Sequence, residues 1–382
     1  MRVAVVVRSL KIGGMERAAI NLAETFEANG HEAHLIYFRN KNKALAPSDR
    51  IHLHHFDIDR IMKWSVIGIF WNFFSRLMNG VIRGSFFFWK GLFASPIFMF
   101  KLRSLEKEYG HFDLVIFRGQ GTFEILWPLK DPRFILQQVN VIFKHGNFLH
   151  DFYLRCLYQD KNLMSISYAV NDDNQKIFEN AKVYPRRIDI ITNPVNVLQI
   201  QERSLEYAPS ISEPYIVNVS RFARIKNHDL LLESYKYARE FLELKHKLVL
   251  VGGGYHRNAI EQKINDLQLT EHVLLTGSLT NPYPWVKNAD LFVFTSFAEG
   301  LGNVLLEALA CNTNIVATKG RGGVLDIMRG EMAAHLCNFD KVEIAHKIMS
   351  ELTRTTPVDF QKALEPFTPK GIIDQYIKSY TV

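Results

Sequence analysis

Residues 295–311 read Thr295-Ser296-Phe297-Ala298-Glu299-Gly300-Leu301-Gly302-Asn303-Val304-Leu305-Leu306-Glu307-Ala308-Leu309-Ala310-Cys311. They close an apolar run, Leu291–Thr295, and open a stretch with helical spacing, so they read as strand, glycine turn, helix. Gly300 and Gly302 let the backbone pass close to a ligand. The N–H groups of Asn303, Val304 and Leu305 then point out of a helix N-terminus, which suits an anion such as a diphosphate. Glu307 lies one turn into the helix, where a carboxylate can accept hydrogen bonds from a ribose diol. Glu299 lies before the helix, towards whatever group is carried beyond the phosphates.

Moving outward, this unit is one of a series. Strands are expected at Tyr215–Val219, Lys247–Val251, Val273–Thr276 and Asn314–Ala317. Helices are expected at Asn227–Phe241, His256–Leu267, Gly302–Cys311 and Lys341–Leu352. The first of these strands runs into Ser220-Arg221-Phe222-Ala223-Arg224-Ile225-Lys226-Asn227-His228. Arg221 and Lys226 could both reach a diphosphate, and two fixed cations can neutralise a leaving diphosphate as a magnesium ion would. Gly252-Gly253-Gly254 ends the second strand as a loop that a nucleotide can approach closely. Thr276-Gly277-Ser278, after the next strand, is a plausible neighbour of the base.

The first half is built on the same plan. Val3–Arg8 reads as a buried strand, Glu16–Ala28 as a helix stopped by Asn29-Gly30, and Ala33–Phe38 as the next strand, a βαβ unit. Further strands are expected at Ile51–Phe56, Leu114–Phe117, Phe134–Val139, Met164–Ser167 and Ile188–Ile191. Val195–Pro214, with Asn193-Pro194 before it, reads as a boundary. The expected fold is α/β, two Rossmann-like doubly wound domains facing across a cleft. The first covers residues 1–200 and the second 213–365, with a C-terminal helix in 366–382 crossing back to the first. Ligands in such sheets bind beyond the carboxyl ends of the strands.

The chain has 382 residues, 47% of them hydrophobic and 22% charged, which excludes a disordered protein. Three scattered cysteines, Cys156, Cys311 and Cys337, exclude a disulfide framework and a Cys-x-x-Cys zinc site. The apolar run Val3–Val7 is shorter than a signal-peptide core, so reduced thiols in the cytoplasm are expected. The net charge of +7 belongs to the first half. Residues 60–105 concentrate it: Arg60, Lys63, Arg76, Arg83, Lys90, Lys101 and Arg103 stand among twelve aromatics with no acidic residue. Charges interrupt every candidate membrane span there, so this insert is expected to lie on an anionic membrane surface; the alternative is a core helix pair with its cations in water. Nucleic acid is not expected, because no motif for it accompanies the basic residues.

At this point the second half, from Tyr215 to about Leu336, resembles the GT4 family of retaining glycosyltransferases, which have the GT-B fold. The resemblance rests on Glu299-x7-Glu307, on Ser220-Arg221-x4-Lys226, on the triple glycine and on the phrase Ala289-Asp290-Leu291-Phe292 leading into residues 295–311. Gly13-Gly14-Met15-Glu16 and His145-Gly146 resemble the family's first-domain loops more loosely. The resemblance implies a catalytic set of His145, Arg221, Lys226 and Glu299. It implies donor binding by Gly13, Gly14, Gly252, Gly253, Thr276, Gly300, Gly302, Asn303, Val304, Leu305 and Glu307.

The implied reaction moves a sugar, with retention, from a nucleotide sugar, most simply a UDP-sugar. The implied acceptor is a lipid-linked or lipopolysaccharide saccharide at the cytoplasmic membrane face, and no cofactor or metal is expected. The alternatives are a nucleotide-sugar epimerase and an inactive membrane-surface scaffold. Asp57-Ile58-Asp59 has the pattern that binds a metal in the other major glycosyltransferase fold, but three-residue matches are common. His52 and His54 share a strand face and read as structural. The loop Lys11–Glu16 lacks the Gly-x-Gly-x-x-Gly spacing of a dinucleotide dehydrogenase.

Overall fold

The computed structural model describes residues 1–11, 13–39, 45–82, 85–142, 148–353 and 358–380. His145 and Arg83 lie outside them. Chain contacts divide the molecule into two units, Met1–Pro194 with Pro369–Val382, and Val195–Thr368.

The first unit holds β1 (Arg2–Ser9), β2 (Glu32–Arg39), β3 (His52–His55), β4 (Leu114–Arg118), β5 (Phe134–Gln138), β6 (Asn162–Ser165) and β7 (Arg187–Ile190). They form one parallel sheet in the order β3-β2-β1-β4-β5-β6-β7. Val3 to Val7 are buried throughout, as a central strand covered on both faces requires. One face packs on α1 (Gly14–Ala28) through Ala19, Leu22, Ala23 and Phe26. The helix Pro369–Tyr380 adds Ile372, Ile373 and Tyr376 to that same layer, and the Tyr376 ring meets Phe26 edge-on at 5.3 Å. α1 stops where Gly30 takes φ 82°, with Gly30 N–H donating to Glu27 O and His31 N–H to Phe26 O. This helix-stop motif needs a residue free of a Cβ penalty at that angle.

The other face is covered by α2 (Ile58–Trp64), α3 (Val66–Val81) and α4 (Phe86–Tyr109), which carry most of the basic aromatic insert. Ala94, Phe98 and Leu102 of α4 enter the core against Phe117 and Phe134. Asp57 caps α2 by accepting from Arg60 N–H at 2.9 Å, and Ser65 caps α3 by accepting from Gly68 N–H at 3.0 Å. Asp59 accepts from Arg39 Nε at 2.9 Å and pairs with Lys90. The Asp57-Ile58-Asp59 triplet is thus occupied by a helix cap and ion pairs. Lys90 is buried, not lipid-facing or solvated as the insert's composition suggested. Burial pulls its ammonium below the ordinary lysine range, and Asp59 works against that.

α3 is turned inside out. Gly68 and Ser75 are its buried residues, and a Cβ on Gly68 would lie 2.5 Å from Met62 O. The small residues let α3 press its weak face inward. Val66, Phe70, Phe73, Leu77 and Val81, at three- and four-residue spacing, form a stripe facing solvent, with Val66 85% and Phe70 and Phe73 each 66% exposed. Among the described residues no helix is long and apolar enough to cross a membrane.

The second unit holds β8 (Tyr215–Val219), β9 (Lys247–Val251), β10 (Val273–Gly277), β11 (Leu291–Phe294), β12 (Ala298–Glu299), β13 (Ile315–Thr318), β14 (Arg321–Gly322) and β15 (Leu336–Cys337). Six of them form a parallel sheet in the order β10-β9-β8-β11-β13-β15, and β12 pairs with β14 as a separate ribbon. Residues 195–214 pack within this unit. Val195 N–H donates to Phe367 O at 2.9 Å, and Asn281 Nδ2 donates to Arg203 O at 2.7 Å.

Candidate active site

β8 ends at Val219, and the loop after it is interleaved with the loop after β9. Ser220 N–H donates to Val251 O, Phe222 N–H to Gly253 O and His256 N–H to Phe222 O. This explains the three glycines differently from the sequence reading. At Gly252, with φ 158°, a Cβ would lie 1.9 Å from Ser220 O, and at Gly254, with φ 153°, 2.4 Å from Phe222 O. A Cβ on Gly253 would lie 2.6 Å from Ser278 Oγ. The close approach these glycines permit is between two loops of the protein. Thr276 stands at the end of β10, half-buried, with its hydroxyl donating to Gly277 O at 3.0 Å.

Further along the first loop, a short turn at Arg224–Lys226 leads to Asn227, whose φ of 55° starts the helix His228–Phe241. Three hydrogen bonds fix this turn to the chain after β11. Thr295 Oγ1 donates to Lys226 O and to Asn227 O at 3.2 Å each, and Phe297 N–H donates to Ile225 O at 2.9 Å. Two residues later β12 pairs with β14, with Glu299 opposite Gly322. At Gly322, with φ 89°, a Cβ would lie 1.7 Å from Glu299 O, so only glycine admits this pairing.

The result brings Lys226 and Glu299, 73 residues apart, into a half-buried ion pair between Nζ and Oε1. Arg221 is exposed and makes no side-chain bond among the described residues. Its five N–H donors are open to a ligand.

Gly300 and Gly302 frame the entry to the helix Asn303–Ala310. Gly300 O accepts from Gly323 N–H at 3.1 Å, and Gly302 takes φ 91° at the helix start, where no side chain caps. The expectation of three outward N–H groups is corrected at Leu305, whose N–H donates to Gly302 O at 2.9 Å. Asn303 and Val304 occupy the first two helical positions and are half-buried. Glu307 is half-buried one turn in; burial, helped by its charge, pushes the Cys311 thiol up to about 12.

Sequence reasoning passed over a polar chain behind this loop. Ser220 Oγ donates to Asn218 Oδ1 at 2.8 Å, and Asn218 Nδ2 donates to Val293 O at 2.8 Å. With its own proton so used, Ser220 accepts from His228 Nε2, 2.9 Å away. Burial, with smaller effects of His256 and Lys226, lowers His228 to about 4, so the imidazole is neutral and braces the loop between β8 and β11. The signal for it was the polar Asn218 and Ser220 flanking Val219 at the end of an otherwise apolar strand.

In the first unit, Gly13 precedes α1 in extended conformation and Gly14 is its first residue. The buried Glu16 accepts from Ser9 Oγ at 3.1 Å, and its carboxylate folds back over Gly13, where a Cβ would lie 2.5 Å from Oε2. A Cβ on Gly14 would meet nothing within 4 Å, so this helix start borders open space.

Comparison with known proteins bears on both units. Residues 205–360 match the family model described as glycosyl transferases group 1. A relative in Campylobacter jejuni, named N-acetylgalactosamine-N,N'-diacetylbacillosaminyl-diphospho-undecaprenol 4-alpha-N-acetylgalactosaminyltransferase, is 29% identical over 204 residues, 53% of this chain and 54% of that protein. The chain spans about half the length of the first curated relatives it matches. Among solved structures, a TarM variant of S. aureus in complex with fondaparinux, alpha-GlcNAc-glycerol and UDP matches with a TM-score of 0.73 at 16% identity, over 100% of each chain. HepE of Anabaena in complex with UDP and glucose matches with a TM-score of 0.69 at 16% identity, over 99% of each chain. At such identity the likeness carries the fold, two Rossmann-like domains of the GT-B type. Over residues 205–360 the chain is similar to the glycosyl transferases group 1 family.

Proposed function

We propose that the protein is a retaining glycosyltransferase that moves a sugar from a nucleotide sugar, most simply a UDP-sugar, to a lipid-linked or lipopolysaccharide saccharide. The observation that carries this reading is the Lys226–Glu299 pair, with the unpaired Arg221 five residues before Lys226 in the same loop. Without donor, each charge holds the other in place. With donor, the diphosphate competes for the ammonium and the sugar hydroxyls take the carboxylate. Arg221 can grip phosphate oxygens in a bidentate fashion. As the bond to the anomeric carbon breaks, negative charge grows on the diphosphate, and Lys226 and Arg221 stabilise it in the role a divalent ion would otherwise play. Attack from the same face as the departing nucleotide gives retention without a separate nucleophile. Glu307 holds the ribose, Gly14 shapes the space beside the phosphates, and His145 orients the sugar near its anomeric carbon. The UDP in the TarM and HepE complexes and the diphospho-undecaprenol in the Campylobacter relative's name support the substrate classes.

The test is calorimetric titration with UDP, GDP and ADP, first without metal and then with magnesium. Metal-independent binding of one nucleotide is expected. Failure of all three to bind would remove the transferase reading and favour an inactive scaffold.

The site of action is the inner face of the cytoplasmic membrane. The outward stripe of α3, with the exposed Lys63 and Arg76 beside it, suits the headgroup layer of an anionic leaflet. Phe70→Ser with Phe73→Ser should weaken binding to anionic vesicles by about tenfold or more, since burying one large apolar side chain contributes about 1.5–3 kcal/mol. Sedimentation with vesicles measures it, and unchanged binding would take α3 off the membrane.

A further inference from the structure

The edge of the first sheet gathers histidines that the transfer reaction does not use. β2 and β3 run parallel with His34 opposite His52 and Ile36 opposite His54. Alternate residues of a strand share a face, so Glu32, His34, His52 and His54 stand together on one side of the sheet. His34 is fully buried and His52 is open to solvent. His34 Nε2 lies 3.0 Å from Glu32 Oε1, and its Nδ1 lies 2.9 Å from His54 Nε2. The His34 and His52 rings stack at 4.7 Å, and Tyr109, the last residue of α4, packs against both at 4.9 and 5.1 Å. One ligand atom from each of Glu32, His34 and His52 lies within 4.8 Å of the other two.

We propose that Glu32, His34 and His52 form a site for a single divalent ion of the zinc class. Two imidazole nitrogens and one carboxylate oxygen suit zinc, cobalt or nickel; magnesium and calcium prefer an all-oxygen shell. Ligand atoms around a tetrahedral zinc stand about 3.3 Å apart, given bonds of about 2.0 Å. The His34–Glu32 pair is near that spacing already, and the exposed His52 has the freedom to close the remainder.

The surroundings match what a metal-bound histidine needs. His54 sits on the far nitrogen of His34, where an outer hydrogen-bond partner fixes the tautomer and ring orientation. Arg2 Nη2 holds the other oxygen of Glu32, Oε2, at 2.7 Å and so aims Oε1 at His34. The solvent-exposed side leaves a fourth position for water. The bound ion cross-links the edge strand β3 to β2. Because β3 runs on through Phe56 into α2 and α3, the ion braces the base of the segment that carries the outward apolar stripe. It shares no residue with the proposed nucleotide-sugar site.

The test uses the full chain, freed of any affinity tag and of metal by a chelator, titrated with zinc by calorimetry and with cobalt as a visible-absorption probe. One ion per chain is expected, with cobalt bands in the visible and a rise in thermal midpoint on adding zinc. His52→Ala alters an exposed side chain and keeps the fold by circular dichroism. It should weaken zinc binding by about tenfold or more and abolish the thermal shift. Glu32→Gln should act in the same direction. No zinc binding by the wild type overturns the proposal, as does binding of equal affinity and stoichiometry by His52→Ala, which would put the ion elsewhere.

Discussion

Lys226→Ala lowers kcat by about 10²–10³ and leaves the second unit folded. The ammonium deals with a charge that is largest when the diphosphate departs, so its removal costs more in the transition state than in the ground state. Arg221 remains to bind the nucleotide, and KM therefore rises less than kcat falls. The fold survives because the turn at Arg224–Lys226 is held through its own backbone carbonyls and that of Asn227, which accept from Thr295 Oγ1 and Phe297 N–H and do not involve the Lys226 side chain. Glu299→Gln is the informative partner. It releases Lys226 from its ion pair, so nucleotide binding holds or tightens while transfer falls. Steady-state kinetics with calorimetry on both variants separates the two roles. A Lys226→Ala enzyme with kcat near that of the wild type would take this lysine out of diphosphate departure.

Gly322→Ala destabilises the second unit by about 2–6 kcal/mol. Left-handed backbone strain in a residue with a Cβ contributes about 1–3 kcal/mol. Overpacking against Glu299 O, 1.7 Å from the added carbon, contributes about 1–3 kcal/mol more. At about 2–4 °C per kcal/mol for a unit of this size, the thermal midpoint drops by roughly 5–20 °C. Transfer is lost as well, because the only way to relieve the clash is to separate β12 from β14, and β12 carries Glu299. Calorimetric unfolding scans measure the first effect and the transfer assay the second. A variant with an unchanged midpoint would show that β12 and β14 can part without cost.

The sheets were legible where strands are buried on both faces. Tyr215–Val219 and Lys247–Val251 are mostly apolar, broken only by Asn218 and opened by Lys247, and their limits in the structure are those read from sequence. Ala298–Glu299, Arg321–Gly322 and Leu336–Cys337 were not legible, because two residues carry no period. The site's residue types could be named from their motif, but their pairing could not. Nothing local to Lys226 or Glu299 says that each neutralises the other. The three glycines after β9 were read as room for a nucleotide; their spacing could not show that Gly252 and Gly254 also stand against the carbonyls of Ser220 and Phe222. The composition of residues 60–105 pointed to a helix on a membrane surface or in the core; it could not show that Gly68 and Ser75 would take the inside of α3. Lys90 looked like its neighbouring cations because its partner Asp59 lies 31 residues earlier. The Glu32–His34–His52 cluster depends on the register of two strands, which the histidine spacing alone leaves open.

The helix Pro369–Tyr380 reverses the order in which the units can be completed as the chain is synthesised. Domains generally fold from the N-terminal end as the chain emerges from the ribosome. Here Ile372, Ile373 and Tyr376 belong to the first unit's core, yet they emerge after all of Val195–Thr368. The second unit is contiguous and can close while the first still waits for its last layer. Until then the nascent first unit shows an uncovered apolar face around Phe26, on the opposite side of the sheet from the outward stripe of α3. The unit made first is finished last, and it spends that interval as the stickier of the two.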